Sequence, residues 1–381
     1  MKVVVNTIST KKGSGGAFQI AYNFILATLR YEVKGIEWFY WTSKDVDEAV
    51  GNFFQNNSNY SVFPTQPDFR HSYFKVKKEL CFWEEKMKPD FIYTISSPCY
   101  FSFKTKEIMR FANAWVTNSN SFAWSSLSLK EKIRMYLYCL NQRRMLRKAK
   151  YIITQSETVK QGLFKITKLS NEQIKVVPNV LPETFLSFPV NKKIDSDWID
   201  IVSVAAPNPH KNIEIIADVL KILRDKYNIF NVRFHLTLPE DTLIYKEIYN
   251  RAQNYNLLGN IVNHGRCTQK ELAEIYCKCS ICFLPTLLET FSASSLEAMY
   301  FNLNIVASDF LFNREVIEDS GLYFEPMNAA DAADKIFRLI DDKDLCCDLR
   351  IKMESQLLKY NSYKNHFDSL VKCFYFFYEQ D

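Results

Sequence analysis

Residues 281–300 read ICFLPTLLETFSASSLEAMY, and this stretch decides the fold of the chain. Its first four residues form an apolar run with the length of a buried strand. Small polar side chains then mark the start of a helix, at Thr290, Ser292, Ser294 and Ser295. A strand that leads through a short loop into a helix is the building unit of a doubly wound α/β sheet.

The same alternation of short apolar runs and helical spacing continues in both directions. Residues 2–8 predict a strand and residues 17–29 a helix, because apolar side chains recur there every three or four positions. Further helices are predicted near residues 213–226 and 291–300, and further strands at residues 36–41, 91–95, 114–117, 151–154, 174–177, 199–204, 232–237, 261–264, 281–284, 305–308 and 322–324. The pattern predicts an α/β protein with two doubly wound, Rossmann-like domains that face each other across a cleft.

A proline-flanked stretch at residues 178–182 and a polar stretch at residues 191–197 mark the predicted domain boundary. We therefore divide the chain into residues 1–180 and residues 181–364. The remaining residues, 365–381, are aromatic and have helical spacing. Two interpretations of this last segment stay open: it crosses back to pack on the first domain, or it finishes the second.

Charge is divided unevenly along the 381 residues. Residues 1–182 contain 27 Lys and Arg against 14 Asp and Glu, whereas the remainder contains 21 against 29. A split of this kind indicates two domains with different partners, the basic one suited to an anionic ligand or surface. No nucleic-acid partner is expected, because the basic residues concentrate in one segment that carries no recognition motif.

No apolar run approaches the ~18–20 residues that a membrane-spanning helix needs, and the amino terminus turns polar too soon for a signal peptide. We therefore expect a cytoplasmic protein. Residues 130–150 suit the anionic inner face of the cell membrane, since a basic amphipathic helix binds such a surface. An ordinary helix with a solvated face has the same composition. The basic residues are Lys130, Lys132, Arg134, Arg143, Arg144, Arg147, Lys148 and Lys150.

Two glutamates flank the predicted helix start. Glu289 lies in the loop after the strand, and Glu297 lies about two turns into the helix. Free N–H groups at such a start bind a diphosphate, and a carboxylate offers several acceptors to sugar hydroxyls. By spacing alone, the two residues equally fit a surface helix position and a charge that stabilises the helix start.

Lys211 lies where the strand at residues 199–204 turns into the next helix, directly after His210. A cation at such a turn can neutralise a leaving diphosphate. A solvated lysine at a helix start and a partly buried structural imidazole are the alternatives for these two residues.

Residues 11–16 read KKGSGG and follow the first predicted strand. Their spacing fits neither the dinucleotide fingerprint nor the phosphate-binding P-loop. Gly15 and Gly16 would let the backbone approach a bound ligand closely. A tight turn without a ligand explains the glycines equally well.

The chain resembles the retaining glycosyltransferases of family four. Glu289-Thr290-Phe291 followed by Leu296-Glu297-Ala298-Met299 is similar to the family signature, in which two glutamates are eight residues apart. Weaker matches occur in the family's order, namely the glycine loop, Gln155-Ser156-Glu157, Val177-Pro178-Asn179 and Pro209-His210-Lys211-Asn212. The resemblance covers nearly the whole chain and implies the GT-B fold, with residues 1–180 on the acceptor side and residues 181–364 binding the donor.

The resemblance also implies roles for single residues. Lys211 and Glu289 would be catalytic, with Glu289 on the sugar hydroxyls and Glu297 on the nucleotide ribose. The amides of three consecutive residues would hold the diphosphate: Phe291, Ser292 and Ala293. Ser292 replaces the glycine that is usual there, and Ala206 stands where many members have an arginine.

Further contacts follow from the resemblance, which implies that Gly15 and Gly16 approach the donor sugar, its phosphate or the acceptor. Arg266 would supply a second positive charge or lie near the base. A first-domain histidine near the reacting carbon is common in the family, but the corresponding region, residues 116–121, contains none. Asn118 and Asn120 are therefore candidates for a sugar hydroxyl or the acceptor, together with His210.

The implied activity is transfer of a sugar from a UDP- or GDP-linked donor to a saccharide or a lipid-pyrophosphate-linked acceptor, with retention of configuration, in bacterial surface glycan biosynthesis. No metal and no cofactor are expected. The alternatives are a non-catalytic sugar-nucleotide-binding subunit and a GT-B-fold sugar-nucleotide epimerase. The expected location is cytoplasmic, with peripheral attachment to the inner face of the cell membrane.

Overall fold

The computed structural model of the chain describes residues 1–12, 16–54, 57–64, 69–192 and 197–380, with the backbone alone for residues 69–72. Two parallel sheets organise these residues, and each has helices in its connections. The prediction of two doubly wound, Rossmann-like α/β folds is confirmed. In the part of the chain that the structure describes, no helix is both long and apolar enough to cross a membrane.

The first sheet is built from the amino-terminal half. In the described residues its order is β3-β2-β1-β4-β5-β6-β7. The strands are β1 (Lys2–Asn6), β2 (Glu37–Ser43), β3 (Tyr60–Phe63), β4 (Phe91–Thr94), β5 (Lys106–Arg110), β6 (Tyr151–Thr154) and β7 (Ile174–Val176). The central strands β1 and β4 are almost fully buried, which explains their continuous apolar runs.

Helices connect the strands of the first sheet. They are α1 (Gly16–Arg30), α2 (Lys44–Val50), α3 (Phe69–Met87), α4 (Ala114–Thr117), α5 (Ser121–Ser125), α6 (Leu129–Leu146) and α7 (Glu157–Phe164). Side-chain caps define several helix starts. Ser43 accepts a hydrogen bond from Val46 N, and Ser156 accepts one from Val159 N.

The second sheet repeats the arrangement with the order β10-β9-β8-β11-β12-β13. Its strands are β8 (Ile199–Ser203), β9 (Val232–Leu236), β10 (Ile261–Asn263), β11 (Ile281–Leu284), β12 (Asn304–Ser308) and β13 (Gly321–Phe324). The helices in this part of the chain are α8 (Glu183–Leu186), α9 (Ile215–Tyr227), α10 (Leu243–Asn254), α11 (Gln269–Lys278), α12 (Ala293–Tyr300), α13 (Leu311–Ile317), α14 (Ala329–Asp341) and α15 (Lys343–Leu357).

The chain forms two compact units that do not follow the sequence in two simple halves. The first contains Met1–Thr117, Leu137–Pro178 and Lys364–Asp381, and the second contains Asn118–Tyr136 and Asn179–Tyr363. The carboxy-terminal helix α16 (Tyr363–Glu379) packs in the first unit, where Phe374 contacts the ring of Tyr93 at 4.9 Å between centroids. The segment 118–136 groups with the second unit, although it precedes the predicted boundary by some forty residues of sequence.

Two local predictions differ from the structure. The run 114–117 is the short helix α4 rather than a strand, because three apolar residues followed by a threonine fit either element. Strands β3 and β5 were not predicted. The sequence of β5, KEIMR, carries three charged residues and therefore lacks the apolar run of a buried strand.

Candidate active site

The candidate site lies at the carboxyl ends of β8 and β11, the two central strands of the second sheet. The strand order reverses between them, and ligands of open α/β sheets bind outside such a reversal. The two strands pair through Ile201 and Val202. At their carboxyl ends, the Ser203 hydroxyl donates to the Phe283 carbonyl oxygen at 2.8 Å. The loops that follow these strands therefore start side by side.

Hydrogen bonds join the two loops. After β8, residues Pro209–Lys211 form a single 3-10 turn, and Asn212 ends it in the left-handed conformation at φ 53°. The carbonyl oxygen of His210 accepts from the Leu287 amide at 2.8 Å, and Asn212 Nδ2 donates to the Pro285 carbonyl at 3.3 Å. The turn that carries Lys211 is thus fixed against the loop that carries Glu289.

Lys211 and Glu289 form an ion pair at this junction. Each side chain is 20 % exposed, so the pair is largely but not completely removed from solvent. Burial lowers the pKa of the Lys211 ammonium to about 8. The lysine is therefore still mostly charged at neutral pH but close to titration. The site brings together the two residues that were predicted to be catalytic.

His210 contributes its backbone to the site. Its carbonyl oxygen accepts from Leu287 N, as described, and from the Thr286 hydroxyl at 3.4 Å. Burial lowers the pKa of the imidazole to about 4, and the charge of Lys211 acts in the same direction. The His210 ring is consequently neutral at pH 7 and adds no positive charge beside Lys211.

The amino-terminal end of α12 borders the ion pair. Ser292 is the N-cap residue, and its side chain makes no capping hydrogen bond. The first N–H groups of a helix have no partner within the helix, and the helix dipole makes this end positive. Ser292 and Phe291 are buried, whereas Ala293 is exposed. A shallow depression is lined by Lys211, Glu289, Ser292 and Ser294, among other residues.

Glu297 is placed differently from Glu289. It lies in α12, is 9 % exposed, and accepts a hydrogen bond from the Tyr276 hydroxyl at 2.6 Å. Burial raises the pKa of its carboxyl group. Glu297 does not belong to the described lining of the depression. The predicted ribose contact stays a prediction, and the Tyr276 hydroxyl is a partner of Glu297 that no sequence pattern indicated.

The position of the missing family arginine, Ala206, and the candidate second cation, Arg266, both lie outside the described lining of the depression. Ala206 is exposed in the loop after β8. Arg266 is exposed in the loop after β10, and β9 separates β10 from β8. Neighbouring strands lie about 4.8 Å apart, which puts the two loops about 10 Å apart at their bases. Among the described residues that line the depression, Lys211 is the only cation.

The remaining predicted residues lie in three places. Gly15 falls outside the described residues, whereas Gly16 begins α1 in the first unit, where a Cβ atom would meet no described atom within 4 Å. Asn118 and Asn120 belong to the second unit. Asn120 reaches the Glu289 loop, because its Nδ2 donates to the Leu287 carbonyl at 2.8 Å. Sequence reasoning did not predict this contact.

Comparisons with known proteins match the part of the chain that contains this site. Residues 187–356 match the family described as Glycosyl transferases group 1, and this range contains the turn at Lys211 and the loop at Glu289. The chain is 25% identical over 181 residues to the O-antigen chain mannosyltransferase RfbU of Salmonella typhimurium, which is 48% of each protein. It is 29% identical over 161 residues to the uncharacterized glycosyltransferase MJ1178 of Methanocaldococcus jannaschii, 41% of this chain and 43% of the relative. The chain thus spans about half the length of the curated relatives that it matches.

Solved structures show the same fold over the whole chain. A glycosyltransferase from Rickettsia africae is similar with a TM-score of 0.74 at 16% identity, covering 100% of this chain and 98% of that one. Anabaena Alr3699/HepE in complex with UDP-glucose gives a TM-score of 0.69 at 14% identity, covering 98% of both chains. Residues 187–356 therefore resemble the Glycosyl transferases group 1 domain, and the chain shares the GT-B fold of these glycosyltransferase structures.

Proposed function

We propose that the chain transfers a sugar from a UDP- or GDP-linked donor to a saccharide or a lipid-pyrophosphate-linked acceptor, in the synthesis of a bacterial surface glycan. The observation that carries the proposal is the Lys211–Glu289 ion pair beside the start of α12. The name of the Salmonella relative, an O-antigen mannosyltransferase, and the UDP-glucose complex of the Anabaena structure support it.

The proposed chemistry is electrostatic and needs no metal ion or cofactor. The Lys211 ammonium and the amides of residues 291–293 would neutralise the leaving nucleoside diphosphate, while the Glu289 carboxylate accepts hydrogen bonds from sugar hydroxyls. The acceptor oxygen bonds to the anomeric carbon as the bond from that carbon to the phosphate oxygen breaks. The acceptor proton passes to the leaving phosphate. Attack from the face of the leaving group gives retention, which is part of the proposal.

The proposal is tested by donor binding and turnover with purified protein. We expect UDP-glucose, GDP-mannose or a related sugar nucleotide to raise the melting temperature and to be consumed in the presence of acceptor, with no loss of rate in EDTA. Lys211→Ala and Glu289→Ala should each reduce turnover about 10²–10³-fold, as for other single groups that stabilise developing charge.

Lys246→Ala and Glu354→Ala are the matched controls, because both residues are exposed and lie outside the site. Near-normal rates in both site variants would refute the assigned chemistry. Binding of a sugar nucleotide without turnover or hydrolysis would instead favour a non-catalytic binding subunit. A rate that EDTA abolishes and added metal restores would refute the metal-independent mechanism.

We further propose that α6 docks on an anionic membrane surface. Large apolar side chains recur along one stripe of this helix, three or four positions apart, and stand 45–75 % exposed: Leu129, Ile133, Tyr136, Leu137 and Leu140. Exposed basic residues lie beside the stripe or directly after the end of the helix, namely Lys130, Arg134, Arg144, Arg147 and Lys148. Arg143 is occupied, since its guanidinium donates twice to the Val116 carbonyl at 3.1 and 3.0 Å.

An apolar ridge between cations suits a bilayer surface with anionic head groups, where the ridge enters the interface and the cations stay at the phosphates. We expect binding to vesicles that contain phosphatidylglycerol and weaker binding to neutral phosphatidylcholine vesicles. Leu137→Ser should weaken this binding, whereas Leu358→Ser, at an even more exposed leucine of the second unit, should not. Equal binding to both vesicle types, or equal loss in both variants, would contradict the proposal.

A further inference from the structure

Asn120 links a segment of the first half of the sequence to the Glu289 loop. It is the N-cap of α5, and its Oδ1 accepts from the Ala123 amide at 2.9 Å. Its Nδ2 donates to the Leu287 carbonyl at 2.8 Å. One side chain therefore uses its acceptor for the local helix and its donor for a loop 167 residues away.

The Leu287 peptide is held from two sides. Its N–H donates to the His210 carbonyl, in the turn that carries Lys211, and its C=O accepts from Asn120. The Leu287 and Leu288 side chains are 1 % and 3 % exposed, which fixes the loop in the core immediately before Glu289. Three contacts therefore fix the loop that carries Glu289: the hydrogen bond to the turn after β8, the burial of Leu287 and Leu288 in the core, and the hydrogen bond from Asn120.

The segment around Asn120 makes further contacts within the second unit. The Phe122 ring meets the Phe310 ring edge-on at 5.9 Å, and the Ser125 hydroxyl lies 3.9 Å from the Met327 sulfur. Leu287, Phe310 and Met327 follow β11, β12 and β13 respectively. Residues 120–125 thus lie along the carboxyl ends of three successive strands, the edge of the sheet where ligands bind.

We propose that Asn120 is a positioning residue of the donor site, which holds the Leu287 carbonyl so that Glu289 keeps its place against Lys211. This inference rests on the proposed function, because it assigns Glu289 to the sugar of the donor. Asn120 acts through Glu289 and therefore affects the sugar part of a sugar nucleotide. Binding of the nucleoside diphosphate is assigned to Lys211 and the start of α12, and it does not depend on Asn120.

Asn120→Asp isolates the donor hydrogen bond. Aspartate caps a helix as well as asparagine does, so α5 and the fold are retained. The variant lacks the N–H that reaches Leu287 and turns a carboxylate oxygen towards that carbonyl. Ser125→Ala is the control in the same short helix, since the Ser125 hydroxyl donates to Phe122 O at 2.7 Å and lies 3.9 Å from the Met327 sulfur, rather than bonding to the Leu287 loop.

The measurement is calorimetric affinity for UDP-glucose and GDP-mannose, and for UDP and GDP, with wild-type protein and the variants. We expect Asn120→Asp to weaken sugar-nucleotide binding about three- to tenfold, the range of one hydrogen bond, and to leave binding of the bare diphosphate unchanged, while the protein stays folded at the assay temperature. In a Glu289→Ala background, Asn120→Asp should have no further effect, because the two residues act as one unit.

Three outcomes would overturn the inference. Equal weakening of sugar nucleotide and bare diphosphate would assign Asn120 a general structural role. Additive losses in the double variant would separate Asn120 from Glu289. Wild-type affinity in Asn120→Asp would remove the role and leave the proposed function intact, whereas a wild-type protein that binds none of the four ligands would refute the proposed function and this inference with it.

Discussion

The charge of Lys211 sets an upper pH limit for the proposed reaction. Burial lowers the pKa of this ammonium to about 8, against an ordinary value near 10.5. The charged fraction is then about 0.9 at pH 7 and about 0.1 at pH 9. Because kcat/KM reports ionisations of the free enzyme, it should fall about tenfold per pH unit above pH 8.

Substitution by arginine changes this limit in a defined way. A guanidinium stays charged throughout the range in which proteins are folded, since its pKa exceeds about 12. Lys211→Arg should therefore lose the alkaline fall of kcat/KM, even where its larger group reduces the rate at pH 7. The limiting rate kcat should be less sensitive to pH in the wild type, because a bound diphosphate favours the charged lysine.

The assay is the initial rate of nucleoside diphosphate release at donor concentrations well below KM, from pH 6 to pH 10, quantified by chromatography of stopped samples. Samples preincubated at each pH and returned to pH 7 must recover full activity, which excludes unfolding. A wild-type profile that stays flat to pH 9.5, or a fall in Lys211→Arg at the same pH as in the wild type, would refute the assigned role of Lys211.

Two further predictions concern stability. His366 in α16 donates from Nδ1 to the Pro178 carbonyl at 2.7 Å, and burial lowers its pKa to about 4. Between pH 6.5 and pH 4 the imidazole is protonated in the unfolded chain but not in the folded one. The free energy of unfolding therefore decreases as the pH is lowered through this window, by up to about 3 kcal/mol. Urea titrations should show a smaller decrease in His366→Asn than in the wild type, and equal decreases would disprove the assignment. Tyr276→Phe removes the hydrogen bond to the buried Glu297 carboxyl group and should cost about 1–3 kcal/mol of unfolding free energy; an unchanged denaturation midpoint would show that Glu297 has another partner.

The sequence predicted the strands that have a continuous apolar run and missed the two, β3 and β5, that lack one. The run 281–284 is strand β11 as predicted, because a strand covered on both faces has a continuous apolar sequence. The edge strand β3 has mostly half-exposed residues, and β5 carries charges, so neither has this signature. The helix at residues 291–300 was predicted to within two residues from its small polar start.

The sequence placed each residue of the candidate site only on its own strand and loop. Lys211 and Glu289 follow the two central strands, so their proximity follows from the topology of a doubly wound sheet. The partners of the site come from distant residues. Tyr276 reaches Glu297 from another helix, and Asn120 reaches Leu287 across 167 residues. No periodicity or local motif reports contacts of this kind.

Each compact unit is built from separate segments of the sequence, and this limits where the protein can be divided or recombined. A fragment cut at the predicted boundary near residue 180 would carry the second sheet without Asn118–Tyr136 and would leave α16 separated from the unit in which it packs. A chimera that exchanges residues 181–364 with those of a protein of the same fold at that boundary would mix Asn120 of one parent with the Leu287 loop of the other. Residues 118–136 should therefore be exchanged together with residues 179–363. Asn120 and the Leu287 loop that it contacts then come from the same parent.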